Sequence, residues 1–183
     1  FPFAEIEFSG EDSFPGDVGM HAWSPFIPSN DYDSGLPAAF FEIEIVNTKE
    51  TEFDYSVVGA LTNPFTGEKP VNQVVQRDHL NQLVLSNKAI AGESPNYGDL
   101  TLGTPEDSHS VSFQEYWFRG ASCDSMEVYW DELITPGRFV NRAYAPEDKK
   151  NNKPDTGHLA VHFKLQPGER RRVRFVITWN VPN

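Results

Sequence analysis

The chain has 183 residues, of which 38% are hydrophobic and 13% aromatic, so it has the length and apolar content of one folded domain with a sizeable core. Lys and Arg number 15 against 27 Asp and Glu, a formal charge of -12. That sign excludes nucleic acid and anionic membrane surfaces as natural partners, because both are bound by Lys and Arg. Cys123 is the only cysteine, so neither an internal disulfide nor a thiolate zinc cluster can form. No apolar run approaches the roughly 20 residues of a membrane span.

In chain order, Phe3 to Phe8 alternates, with Ala4, Ile6 and Phe8 on one face and Glu5 and Glu7 on the other, which predicts a strand. Gly19 to Ser24 is a short second strand. Ala39 to Asn47 alternates most clearly: Ala39, Phe41, Ile43 and Ile45 share one face, Glu42 and Glu44 the other. Glu52 to Leu61 follows, with Phe53, Tyr55, Val57 and Leu61 aligned. Asn47 to Glu50 between them reads as a hairpin turn. After Asn63-Pro64 the pattern loosens. Leu80 to Ser86, Asp99 to Leu102 and Val111 to Phe118 read as strands; over Ser125 to Ile134, Met126, Tyr129, Trp130, Leu133 and Ile134 fit helical spacing while Val128 and Trp130 also fit a strand, and a short helix is preferred. Asp148 to Asp155 is polar and reads as an exposed loop. His158 to Leu165 and Arg172 to Asn180 read as the arms of a final hairpin around Gln166-Pro167-Gly168-Glu169. The 13 Gly and 14 Pro are spread along the length, between short alternating runs. The fold class is therefore all-β, an antiparallel β-sandwich with one short helix, in a single domain over residues 1–183.

The residues that could carry chemistry are few. Glu42 and Glu44 lie two apart on a strand, about 6.6 Å at about 3.3 Å per residue. Glycosidases space their two acids this way, but so does any wet strand face, and that is the reading adopted. Glu5/Glu7, Glu11-Asp12 and Asp131-Glu132 are read the same way. His158 and His162 on a strand are about 13 Å apart, too far for one metal, and are assigned a structural role. Asn30 to Gly35 alternates oxygen-bearing side chains before a glycine, as a calcium loop does, but lacks its distal Glu and its length. An Asx turn is preferred there. Glu169-Arg170-Arg171-Arg172 is an exposed shoulder rather than an anion site. Trp23, Tyr116, Trp117 and Trp130 are candidate sugar-stacking platforms, set against ordinary core packing. No catalytic residue, metal site or cofactor is assigned. The chain starts at Phe1 and reads as a piece of a longer protein; the lone cysteine and the lack of a leader pattern point to the cytoplasm.

Five stretches taken together carry a resemblance: Trp23-Ser24-Pro25-Phe26-Ile27-Pro28, Asp33-Ser34-Gly35-Leu36-Pro37-Ala38-Ala39-Phe40-Phe41, Leu83-Val84-Leu85-Ser86-Asn87, Tyr97-Gly98-Asp99-Leu100-Thr101, and Phe175-Val176-Ile177-Thr178-Trp179-Asn180-Val181-Pro182-Asn183. In this order they resemble the N-terminal domain of glycoside hydrolase family 116, which includes β-glucosidases and a non-lysosomal glucosylceramidase. The resemblance implies a supersandwich-like β domain followed by an (α/α)6 barrel. The barrel would hold the Glu nucleophile and the Asp acid/base of a retaining hydrolase. Nothing here matches the barrel, so no catalytic carboxylate is carried over. The expected role is to support that barrel, the partner in the same parent chain through which a glycoside substrate would be met. Phe26, Ile27, Tyr32 and Leu36, on the Pro-rich loop Ser24 to Pro37, are the expected interface residues. The alternative is a free-standing carbohydrate-binding or adhesion sandwich.

Overall fold

The computed structural model describes residues 2–8, 14–77, 79–120, 124–134, 138–144 and 153–182. Cys123, Glu11-Asp12 and most of the Asp148 to Asp155 stretch lie outside the described residues. The elements in order are β1 (Phe3–Phe8), β2 (Asp17–Trp23), α1 (Asp31–Ser34), β3 (Ala38–Val46), β4 (Phe53–Thr62), β5 (Pro70–Arg77), β6 (Leu80–Asn87), β7 (Asp99–Thr104), β8 (Val111–Gln114), α2 (Asp124–Ile134), β9 (Thr156–Leu165) and β10 (Arg170–Asn180). Alternation of apolar and polar residues gives each long strand one dry and one wet side, and burial of the dry sides makes a sandwich.

The strands form a large sheet in the order β1-β2-β3-β10-β7-β6-β5 and a small sheet in the order β4-β9-β8. Every pairing is antiparallel. The core lies between them. Ile45 of β3, Val173 and Phe175 of β10, Leu102 of β7 and Leu83 and Leu85 of β6 face Tyr55 of β4 and Leu159, Val161 and Phe163 of β9. Burying one such side chain stabilises the fold by about 1.5–3 kcal/mol relative to leaving it in water. The small sheet does not reach the far edge of the large one, and β1 is exposed along its whole length.

A third layer covers the outside of the small sheet. There α2 and residues 138–144 close over His158, Ala160 and Gln114, all buried. Trp117 stacks on Tyr129 of α2 at 4.3 Å, Tyr129 stacks on Phe139 at 5.5 Å, and the Phe139 ring meets His158 at 4.1 Å. The helix expected at Ser125 to Ile134 is thus present and anchored by its Tyr129 face.

Two expectations are overturned, and they are related. Asn47 to Glu50 is not a hairpin turn, and neither is Gln166 to Glu169. β3 pairs with β10 and β4 with β9, so each turn carries the chain from one sheet to the other. The two corners are bonded to one another. Asn47 N donates to Glu169 O at 2.9 Å, and Gly168 N to Asn47 O at 2.9 Å. The Asn47 side chain, fully buried, donates to Leu165 O at 3.0 Å and Thr51 O at 2.8 Å. Two hairpins would lay the four apolar faces in one plane with nothing to cover them. Two arches stack those faces on each other.

The other differences are local. β5 lies in the stretch without a visible pattern, because Asn72 takes an inward position. It is held there by bonds to Glu115 O at 2.7 Å and from Asn63 Nδ2 at 3.0 Å. The strand expected over Val111 to Phe118 ends at Gln114. Beyond it Trp117 turns onto α2, donating from Nε1 to His158 Nδ1 at 2.8 Å.

Candidate docking surface

The loop between β2 and β3 is built to be stiff. Ser34 Oγ accepts from Ile27 N at 2.8 Å and donates to Ile27 O at 3.0 Å, closing the loop on itself. Asn30 caps α1: its Oδ1 accepts from Asp33 N at 3.1 Å, and its Nδ2 donates to Asp33 Oδ2 at 2.6 Å. The side chains of Asn30, Asp33 and Ser34, part of the pattern that suggested a calcium loop, are therefore engaged in an Asx-type cap and the closure of the loop. Ser29 has a φ of 63°, a left-handed conformation held by the surrounding bonds. Ser24 Oγ donates to Ala38 O at 3.0 Å, and Trp179 N to Pro37 O at 3.1 Å, tying the loop to the ends of β3 and β10.

On this frame the four expected interface residues all point outward. Phe26 is 60% exposed, Ile27 50%, Tyr32 88% and Leu36 48%. With their backbone fixed, little conformational freedom would be lost on docking. The same end of the sandwich carries Tyr97 and Val181, also exposed, and β10 runs out there beside Ala38. Sequence reasoning found the loop by its prolines and aromatics. It missed Tyr97 and Val181, which are brought beside the loop only by the register of β10 with β3 and β7.

The four stacking candidates separate. Tyr116 is buried, and its hydroxyl accepts from Asn72 N at 3.1 Å, so it presents no face to a sugar. Trp117 is half-buried and stacked on Tyr129. Trp23 is half-buried and stacked on Phe40 at 5.6 Å. Trp130 is exposed on α2. The structure does not bring the four into one platform.

The titratable candidates are structural. Arg174 Nε donates to Glu42 Oε2 at 2.7 Å, and Arg172 Nε to Glu44 Oε2 at 2.6 Å, across the β3–β10 register on the wet face of the large sheet. The bond from Arg172 holds the Glu44 carboxyl below its ordinary range. Arg171 is paired with Glu106 at 2.6 Å and lies over the Phe163 ring. Arg171 and Arg172 of the arginine run are thus engaged with partners in the same chain. His162 sits between Ser56 Oγ at 2.8 Å and Ser112 Oγ at 2.6 Å. Burial, with Arg138 nearby, lowers its pKa to about 4. Burial, then Arg142 and His162, lowers that of His158 to about 3. Both are neutral packing groups at pH 7.

A family model described as beta-glucosidase 2, glycosyl-hydrolase family 116 N-term, matches residues 1–183. The chain belongs to this family. A family defined as the N-terminal domain of a glycosyl hydrolase implies a catalytic domain as partner. No curated protein matches the chain. None of the described helices is long and apolar enough to cross a membrane.

Proposed function

We propose that this domain is the non-catalytic β-sandwich of a family 116 retaining β-glucosidase or glucosylceramidase, and that it braces an (α/α)6 catalytic barrel through the Ser24 to Pro37 loop. The observation that carries the reading is the exposure of Phe26, Ile27, Tyr32 and Leu36 on a loop closed by its own hydrogen bonds. Four outward apolar side chains on a stiff frame form an anchor for an interface rather than a mobile lid. Bracing of this kind holds the barrel's catalytic groups in place without taking part in the chemistry.

Phe26→Asp in the intact hydrolase tests it. A carboxylate in place of a buried aromatic anchor costs about 2 kcal/mol or more of docking energy. The melting temperature and the rate on an aryl β-glucoside should both fall. Unchanged stability together with unchanged rate would rule the loop out as the docking surface. The exposure of Trp130 gives the carbohydrate-binding alternative its one specific support. A glycan titration followed by tryptophan fluorescence separates the two, because a docking domain gives no response.

A further inference from the structure

Helix α2 has three faces. Ser125, Tyr129 and Glu132 point inward: Tyr129 stacks between Trp117 and Phe139, and Glu132 accepts from Gln114 Nε2 at 2.7 Å and from Arg142 Nη1 at 3.1 Å. Asp124, Glu127 and Asp131 form an acidic face. Between these runs a third stripe, Met126, Trp130 and Ile134, at 54%, 56% and 63% exposure. The spacing i, i+4, i+8 lines the three side chains along one ridge, the form in which helices interlock with grooves on other helices. A helix needs one apolar face to hold its place here, and Tyr129 already supplies it. The second apolar face is exposed and packs on none of the hydrophobic core residues among the described residues.

We infer that the Met126-Trp130-Ile134 ridge is a second docking surface, and that its occupant is the catalytic domain of the same polypeptide. The inference rests on the docking function proposed above. Three observations favour this occupant. The family places a catalytic domain in the same protein. The first turn of α2 lies at the end of the sandwich where β10 runs out. Ser125 there shares a pocket with Trp117 and Thr156. Asn63, whose N–H bonds Asp155 O at 2.8 Å, reaches Ser86 O at 3.1 Å, and Ser86 is in register with Asp99 and, through it, Asn180. The Ser24 to Pro37 loop, the end of β10 and the first turn of α2 therefore share one end of the sandwich, so one body docked there would meet both the loop and the helix. Finally, Glu127 and Asp131 beside the ridge would be complemented by Lys or Arg on the rim of the partner.

The test is hydroxyl-radical footprinting of the intact hydrolase, read by mass spectrometry at Met126 and Trp130 and, in the same sample, at Phe26 and Tyr32. Going from 56% exposure to the burial of a core residue slows labelling of Trp130 by about sixfold or more. Expected is this protection at Met126 and Trp130, with Trp130→Glu restoring fast oxidation at Met126. If Phe26 and Tyr32 are protected while Met126 and Trp130 react as freely exposed side chains, the ridge is overturned and loop docking stands. Free reaction at all four overturns docking altogether. Protection at Met126 that disappears on dilution, with light scattering reporting a dimer, would assign the ridge to a second copy and overturn the catalytic domain as its occupant.

Discussion

Acid should loosen this domain in a way that can be calculated. His158 and His162 lie four residues apart on the outer face of β9: Tyr129, Phe139 and Trp117 cover His158, with Arg142 nearby, while Ser56 and Ser112 flank His162, with Arg138 nearby. Their pKa values fall from the ordinary 6.5 to about 3 and about 4. A histidine whose pKa is depressed by folding is protonated first in the unfolded chain. Its stabilising effect is therefore whole above pH 6.5 and is lost as the pH falls towards the folded value. Between pH 6 and pH 5 each unfolded imidazole takes up nearly one proton that the folded one refuses. At about 1.36 kcal/mol per pH unit, each costs about 1.2 kcal/mol over that interval, and the two together about 2.4 kcal/mol. Against a total of about 5–15 kcal/mol for a domain, that loss is large. Urea unfolding of the 183-residue chain at pH 6.0, 5.5 and 5.0 measures it. The double variant His158→Gln/His162→Gln should lose nearly all of the dependence, whatever its stability at pH 7. A wild-type change under about 0.5 kcal/mol, or an equal slope in the double variant, would refute the assignment of both groups as neutral in the folded chain.

Two core substitutions complete the test of the fold. Asn47→Ala leaves Leu165 O and Thr51 O without their side-chain donor at the crossing of the two arches and should cost about 2–3 kcal/mol in denaturant unfolding; a cost under about 0.5 would mean that the crossing is held by its backbone bonds alone. Leu83→Ala, at a fully buried site on β6 facing the small sheet, should cost about 2–5 kcal/mol, whereas Val140→Ala, at 78% exposure, should stay within about 0.5.

Much of this protein is legible from local pattern alone. Alternation over residues 39–47 and 172–180 marks β3 and β10 and the side of each that turns inward, because a strand's side chains alternate whatever lies beside it. The helix at 125–134 is legible from apolar spacing, and the same spacing holds the outward ridge, since Met126, Trp130 and Ile134 are in excess of what one buried face needs. The prolines and aromatics of Ser24 to Pro37 mark an exposed apolar loop. The family, too, is legible from sequence, over the whole chain.

Pairing is not legible in this way. A tight turn between two alternating strands looks the same whether the strands lie side by side or face each other across a core. Long-range contacts decide between the two. Here they are the bonds from Asn47 to Glu169, Gly168 and Leu165, more than a hundred residues away, and the burial of Phe41 and Ile43 against the small sheet. The same holds for the inward polar side chains. Asn72 falls in a stretch without a visible pattern, and His158 reads as an ordinary strand residue, until Glu115 O and the indole of Trp117 are placed beside them. It holds for the proposed docking surface as well, where Tyr97 and Val181 come to the end that carries Phe26 only through the order of strands in the large sheet. Periodicity belongs to the backbone and is written locally. The choice of partner belongs to burial and hydrogen-bond satisfaction, which are properties of the whole folded chain.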